Sequence, residues 1–107
     1  MMNDIVKTLD QMIALLQSCG WNERAAWFVD KKAWLLQNAD REHEVLDQAL
    51  KEIKSSLAGQ GSFTDIPLSP APDSDLTRDM LRRKQWDLAR SLDLQLQQGI
   101  EAIDGRH

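Results

Sequence analysis

Few residues of this chain have the chemistry of a nucleophile or a metal ligand. There are two histidines, His43 and His107, and one cysteine, Cys19. A nucleophile needs a base and an orienting partner within reach, and only Cys19 with His43 offers the start of such a pair. A cysteine near a helix end is more simply a small buried apolar residue. HExxH and CxxC motifs are absent from the sequence. We therefore expect no catalytic residues, no metal ligands and no cofactor.

The glycine-rich stretch GQGS, Gly59 to Ser62, resembles a phosphate-binding loop only in composition. Such loops connect a strand to a helix, and in nucleoside triphosphatases a Lys and a Ser or Thr follow the glycines. Here the glycines follow a helical segment, and no Lys comes directly after them. The stretch instead predicts a helix C-cap and a turn, with Gly59 or Gly61 at positive φ.

Charge is the second source of possible chemistry. The chain has 17 acidic and 13 basic residues, a formal charge of −4. This balance does not favour a general phosphate-binding surface and would attract a basic partner. The basic run Arg82 to Lys84 is flanked by Asp79 and Asp87, so a solvated helix face is the better interpretation and nucleic acid is not an expected partner. Acidic residues cluster in and just after the loop, at Asp65, Asp73, Asp75 and Asp79.

Four segments with apolar residues at helical spacing must position these side chains. They run from Asn3 to about Cys19, from the cap Asn22 to about Asn38, from the cap Asp40 to about Ala58, and from a cap at Ser74 or Asp75 to near the C-terminus. Gly20 would end the first helix in the left-handed conformation. No segment alternates as a strand does. The sequence predicts an all-α fold, an antiparallel bundle of about four helices in a single domain over residues 1–107.

Two of these helices carry more apolar surface than one buried face requires. In the second, one side gathers Ala25, Phe28, Val29 and Leu36, and the opposite side carries Trp27 and Trp34. Burial on both sides as the central helix is the simpler explanation, and an aromatic patch for a partner is the other.

The fourth helix has a main apolar stripe of Leu81, Leu88, Ala89, Leu92, Leu96, Gly99 and Ile103. Met80, Trp86 and Leu94 lie outside that stripe, and they either pack under the loop or face a second molecule. The helix is long enough that we expect it to bend, break or overhang the others, with Gly99 as a candidate position.

The loop between the third and fourth helices, Gly59 to Asp75, is the main interruption of the helical pattern. It holds three prolines, and it also holds Phe63, Ile66 and Leu68, which a solvated linker would not need. A long ordered loop of this kind is usually functional. We predict that it folds back on the bundle with Phe63 and Ile66 as anchors, and that Asp65 accepts backbone hydrogen bonds within it.

The loop also carries a family resemblance. GQGSFTDIPL, Gly59 to Leu68, resembles a glycine-x-glycine-Ser-aromatic/Leu-x-Asp-Ile/Leu motif of small bacterial helical proteins, some of which are similar to toxin-immunity proteins of the contact-dependent growth inhibition type. Gln60 and Thr64 stand where Met and Asn are more usual in that family. The resemblance implies a protein that binds and blocks a toxin, and it provides no catalytic residues.

These observations lead to a functional expectation. The chain would be a cytoplasmic immunity protein that occludes the active site of a toxin, with a basic nuclease favoured because an acidic inhibitor associates faster with a basic target. Asp65, Asp73, Asp75, Asp79 and Trp86 are the expected contact residues. The alternative is a structural or regulatory bundle without catalytic activity that self-associates as a homodimer. A single cysteine fits a reducing compartment, and no apolar run is long enough to cross a membrane.

Overall fold

The computed structural model describes residues 2–38, 43–57, 62–70 and 75–104. These residues form four α-helices and one short 3-10 turn. The helices are α1 (Met2–Ser18), α2 (Asn22–Asn38), α3 (His43–Ser55) and α4 (Arg78–Asp104), and the turn is Phe63–Asp65. The described residues contain no strand. The prediction of an all-α fold is confirmed.

The four helices form an antiparallel bundle in which each helix contacts two others. The contacting pairs are α1 with α2, α2 with α3, α3 with α4, and α4 with α1. Between them lies one core of Leu, Ile, Met, Ala and Phe side chains to which every helix contributes. The buried Thr8 of α1 donates a 2.9 Å hydrogen bond to Gln95 of α4, and Lys54 of α3 pairs with Asp93 of α4 at 2.8 Å. Polar contacts of this kind align neighbouring helices around an apolar interior.

A glycine ends α1 in the way the sequence predicts. Gly20 has φ +83°, and its N–H donates to the carbonyl of Gln17 while the N–H of Trp21 donates to that of Leu16. These two bonds define a Schellman motif, which satisfies carbonyls that the last turn leaves without partners. Trp21 then packs against the core, so the same turn also anchors the start of α2.

We expect Gly20→Ala to lower the free energy of unfolding by about 1–2 kcal/mol, because a Cβ is strained in the left-handed region. No heavy atom lies within 4 Å of the position of that Cβ, so a steric clash adds nothing to the loss. Gly20→Asn should cost less, since Asn tolerates this conformation. Urea unfolding of the three proteins measures the difference, and an Ala variant as stable as the parent would contradict the assignment.

The buried face of α2 differs from the predicted one. Ala25, Phe28 and Leu35 are buried, whereas Val29 and Leu36 are exposed. Lys31 pairs with Glu52 of α3, and Lys32 pairs with Asp10 of α1. The line of α2 that faces the core must lie between these two lysines, which is the line of Phe28 and Leu35. Ala25 and Phe28 are buried as predicted, whereas the prediction for Val29 and Leu36 was wrong because the predicted face was centred too close to the α1 side of the helix.

The two tryptophans of α2 take an intermediate position. Trp27 and Trp34 are partly buried and pack against the core, so α2 is covered on this side without being fully enclosed. The ring of Trp27 meets Phe28 edge to face at a centroid distance of 5.0 Å, and the Lys31 ammonium lies 5.2 Å from the Trp27 ring centroid.

Helix α3 ends earlier, and helix α4 begins later, than the sequence predicts. The predicted cap of α3, Asp40, lies outside the described residues, and the helix ends at Ser55. Helix α4 begins at Arg78 rather than directly after Ser74 or Asp75, because Thr77 caps it: its side-chain oxygen accepts the N–H of Met80 at 3.1 Å.

Helix α4 then continues without interruption through Gly99, so of the three predicted alternatives, a bend, a break or an overhang, the break is wrong. Its predicted stripe is buried except for the half-buried Leu88, and it also includes Gln85 and Ile100. Met80, Trp86 and Leu94 are exposed rather than packed under the loop.

Candidate functional site

The candidate site is built around residues 62–70, which we call the loop segment. This segment is bonded to the two residues that follow α3: the Phe63 N–H donates to the carbonyl of Ser56 at 2.9 Å, and the Thr64 N–H donates to that of Leu57 at 3.4 Å. The 3-10 turn Phe63–Asp65 follows at once, closed by hydrogen bonds to the carbonyls of Ser62 and Phe63. The backbone of the segment is therefore tied to the bundle.

Apolar side chains hold the loop segment on the core, as the sequence predicts. Phe63 is 1% exposed, and Ile66 and Leu68 are also buried. The Phe63 ring meets the ring of Phe28 on α2 edge to face, with 5.9 Å between centroids. This arrangement is favourable for two aromatic rings and joins the loop to the second helix. Gly59 and Gly61, the predicted positive-φ positions, lie outside the described residues.

One polar side chain that was not predicted from the sequence, Gln85, also holds the loop segment on the bundle. Gln85 of α4 is 2% exposed, and its Nε2 donates to the carbonyl of Phe63 at 2.6 Å and to that of Ile66 at 2.9 Å. An amide nitrogen has two donors, and here both bind carbonyls of the same turn. The signal for Gln85 is present in the sequence, since it lies midway between Leu81 and Ala89 on the apolar stripe of α4. A polar residue on such a stripe must find buried partners.

Two of the predicted contact residues meet in one cleft beside the loop segment. Asp65 and Asp79 both line a cleft of about 500 Å³, which we call the polar cleft. Arg78 and Arg82 line it as well, so two carboxylates face two guanidinium groups. Arg82 was predicted to lie on a solvated helix face, and it is exposed, whereas no role was predicted for Arg78. The polar cleft is thus mixed in charge and not the acidic surface that the loop sequence predicts.

Trp86 lies on the neighbouring side of α4. It is 42% exposed and lines a second, smaller cleft of about 250 Å³ together with Thr64 and Leu57. Thr64 also lines the polar cleft, so the 3-10 turn is the ridge between the two. Of the other predicted contact residues, Asp75 is exposed three residues before α4, and Asp73 lies outside the described residues.

A third cleft, on the opposite side of the loop segment, is aromatic. Its volume is about 530 Å³, and Trp21, Trp27, Phe28 and Phe63 contribute to its lining. Ser55, Ser56 and Ser62 provide hydroxyl groups there, but Ser55 and Ser56 donate to backbone carbonyls of their own helix. Two partly buried indole rings, Trp21 and Trp27, line this cleft beside the loop, whereas Trp34, the second tryptophan of the aromatic patch considered for α2, is not among its lining residues.

Of the residues considered for catalysis, Cys19 is the one whose side chain lies in the described part of the chain. Cys19 is partly buried and packs against the core, with its sulfur 3.8 Å from the Ser18 hydroxyl. His43 is the first residue of α3, and neither its side chain nor His107 is among the described parts. Over the described ranges, no group of three or more His, Cys, Asp or Glu side chains is arranged to hold a metal ion. None of the described helices is both long enough and apolar enough to span a membrane.

Comparison of the chain with models of known families, with curated proteins and with solved structures gave no match.

Proposed function

We propose that this protein is an immunity protein that binds a bacterial toxin and blocks its active site, using the surface formed by the loop segment and the adjoining side of α4. Asp65, Asp79 and Trp86 are the contact residues we assign to this surface. Asp75, exposed three residues before α4, extends this surface, and Asp73, outside the described residues, is proposed as a further contact residue from the sequence alone.

The observation that carries the proposal is the combination of a fixed backbone with exposed side chains. Phe63 and Gln85 hold the turn on the core, while Asp65 and the neighbouring Trp86 remain exposed. A surface fixed before binding loses less conformational entropy when a partner docks. Tryptophan is the residue type most enriched at binding hot spots, so an exposed indole beside a rigid turn supports a protein partner.

The net charge of the whole chain supports a basic toxin as the partner. The charge of the polar cleft does not, because it is mixed. Arg78 and Arg82 offset Asp65 and Asp79 locally. The net charge of −4 belongs to the whole chain, and it is this overall field that would attract a basic nuclease. The guanidinium groups of Arg78 and Arg82 can donate hydrogen bonds to acidic groups at the edge of the toxin. Such bonds would fix the orientation of the complex.

The direct test is co-expression with the product of the neighbouring gene. We expect that product to arrest growth when it is expressed alone and to be harmless when this chain is present. Purified together, the two should form a complex of one to one stoichiometry. A neighbouring product that is harmless alone, or whose toxicity this chain does not relieve, would refute the proposal.

Substitutions at the proposed contact surface should separate the contribution of its acidic residues to binding from the contribution of Trp86. We expect Asp65→Asn with Asp79→Asn to slow association by about threefold to tenfold, because exposed charges act mainly on the on-rate. Trp86→Ala should instead speed dissociation by about 30-fold, which corresponds to the hot-spot threshold of about 2 kcal/mol. Stopped-flow or surface plasmon resonance measurements at two salt concentrations report both rates.

Matched controls are available on α2, away from this surface. Asp30→Asn removes an exposed carboxylate and Leu36→Ala removes an exposed apolar side chain, and both should leave the rates within about twofold. If the controls weaken binding as much as the loop-surface variants do, the contact surface has been assigned to the wrong side of the bundle.

A further inference from the structure

Gln85 has one hydrogen-bond acceptor without a partner beside the polar cleft. Its Nε2 donates to the carbonyls of Phe63 and Ile66, but no residue in the described parts of the chain donates to its Oε1. A buried amide oxygen normally has a donor. Over the described ranges, the one side-chain oxygen that is both fully enclosed and without a partner is Oδ1 of Asp47. Oε1 of Gln85 is therefore not enclosed, and it opens on the polar cleft that Gln85 lines.

Two guanidinium groups line the same cleft without an ion pair. Arg78 and Arg82 precede Gln85 by seven and three residues, and neither takes part in the ion pairs found among the described residues. Like charges four residues apart on a helix repel, and a positive charge in the first turn opposes the helix dipole. The two arginines therefore do not stabilise α4 by themselves, and an anionic group bound between them would remove their repulsion.

The polar cleft thus has different chemistry at its two ends. A helix rises 1.5 Å per residue, so Gln85 lies about 4.5 Å from Arg82 and about 10 Å from Arg78 along the axis of α4. Asp65 lies at the Gln85 end, because it belongs to the turn whose carbonyls Gln85 binds. Asp79 lies at the other end, where the two guanidinium groups outnumber its one carboxylate. Acceptors therefore prevail at the Gln85 end, and positive charge prevails at the start of α4.

We propose that the polar cleft binds an aliphatic α-amino acid in its zwitterionic form. The ammonium group donates to Oε1 of Gln85, where the Asp65 carboxylate adds negative potential. The carboxylate accepts charge-assisted hydrogen bonds from Arg82 and Arg78. A ligand with a single charge would suit one end of the cleft and leave the other without a partner.

The size and the wall of the polar cleft favour a small ligand with an apolar side chain. The volume of about 500 Å³ lies within the range of about 300–1,000 Å³ that is common for small-molecule sites. Part of the wall is apolar and is formed by Ile66, Pro67 and Leu68. An aliphatic side chain can pack against this part of the wall while the charged groups of the ligand face α4.

The amino acid and the proposed toxin would share a surface. Asp65 and Asp79 line the polar cleft, and they are also assigned to the contact with the toxin. An occupied cleft would therefore compete with the toxin at these residues. Binding of the amino acid itself requires only the purified chain, so its outcome is separate from the outcome of the co-expression test.

Titration of the purified, ¹⁵N-labelled chain with L-leucine, followed by NMR, tests the proposal. We expect a dissociation constant on the order of 0.1–1 mM, because the charged groups of the cleft remain partly solvated. The side-chain amide signals of Gln85 should shift together with the backbone amides of residues 64–68, whereas those of α1 should not. The absence of shifts at about 10 mM L-leucine would overturn the proposal, as would shifts that leave Gln85 unaffected.

Two analogues of leucine test whether both charges are recognised. N-acetyl-L-leucine keeps the carboxylate without the ammonium group, and L-leucinamide keeps the ammonium group without the carboxylate. Each should bind about tenfold or more weakly than L-leucine, because each loses hydrogen bonds between charged groups at one end of the cleft. If either analogue binds as tightly as L-leucine, the cleft recognises a single charge or a peptide terminus, and the proposal is wrong.

Two neighbouring arginines provide a matched pair of variants. Arg82→Met removes a guanidinium group that lines the polar cleft, and it should raise the dissociation constant for L-leucine by about tenfold. Arg83→Met removes an exposed guanidinium group that does not line this cleft, and it should leave the constant within about twofold. Both variants have the same net charge, so equal effects would show that the amino acid binds elsewhere. Circular dichroism confirms that both variants are folded.

Discussion

Phe63→Ala is expected to lower the free energy of unfolding by about 3–5 kcal/mol, the usual loss when a buried phenylalanine is truncated. The ring is 1% exposed and sits edge to face against Phe28 of α2, so its removal leaves a cavity between the loop segment and the bundle. The Phe63 N–H and carbonyl are also bonded, to Ser56 and Gln85. These bonds limit how far the turn can shift to fill the cavity, which keeps the loss large.

Denaturant unfolding monitored by circular dichroism measures this loss, with Leu36→Ala as the matched control. Leu36 is 53% exposed, and its truncation should cost less than about 0.5 kcal/mol. An equally small loss for Phe63→Ala would mean that the loop segment is a tether between helices and not part of the core. The proposed contact surface would then have no fixed backbone under it.

The bundle could be predicted from the sequence because helical spacing is a strong local signal. Asn22 and Gly20 mark boundaries that the structure reproduces, and the stripe of Leu81, Leu92 and Leu96 identifies the buried side of α4. Phe63 and Ile66 could also be predicted as anchors from a local signal, because a solvated loop of turn residues does not need large apolar side chains. These inferences depend on short stretches of chain.

Residues whose role depends on distant parts of the chain were not predictable in this way. The orientation of α2 depends on how Phe28 and Leu35 pack into a core built from the other helices, with Lys31 and Lys32 reaching Glu52 and Asp10 on either side, and the spacing within α2 does not determine it. Periodicity placed Val29 on the buried face, but the bundle leaves it at the surface.

The polar cleft shows the same limit. Its mixed charge arises because the loop segment folds back beside the start of α4 and brings Asp65 into the same cleft as Arg78. Counting only the acidic residues along the chain leaves out Arg78, although it directly precedes Asp79. The loop sequence alone therefore overestimated how acidic this surface is.

Gln85→Leu is expected to be the second most damaging substitution, with a loss of about 1–3 kcal/mol, the cost of one buried acceptor that loses its partner. Leucine has a similar size, so the change keeps the packing and removes the two donors. The Ile66 carbonyl then loses its bond from Gln85, whereas the Phe63 carbonyl still accepts the N–H of Ile66 at 3.3 Å. The loss should be concentrated in the loop segment, so amide hydrogen exchange should accelerate at Phe63, Thr64 and Asp65 more than in α1.

The stability of a Gln85→Glu variant as a function of pH separates the contribution of the two hydrogen bonds from that of side-chain packing. The introduced carboxylate accepts but does not donate when ionised, so it faces two carbonyl oxygens and should destabilise the fold more than Leu does. Its protonated form donates one hydrogen bond, so folding should raise its pKa above about 4.3, the ordinary value for Glu. The folded state then binds the proton more tightly, and the variant should recover stability relative to the parent as pH falls from 7 towards 4. Urea unfolding across this range measures the recovery. If the deficit of Gln85→Glu is the same at every pH, the bonds from Gln85 to the turn do not hold the loop segment in place.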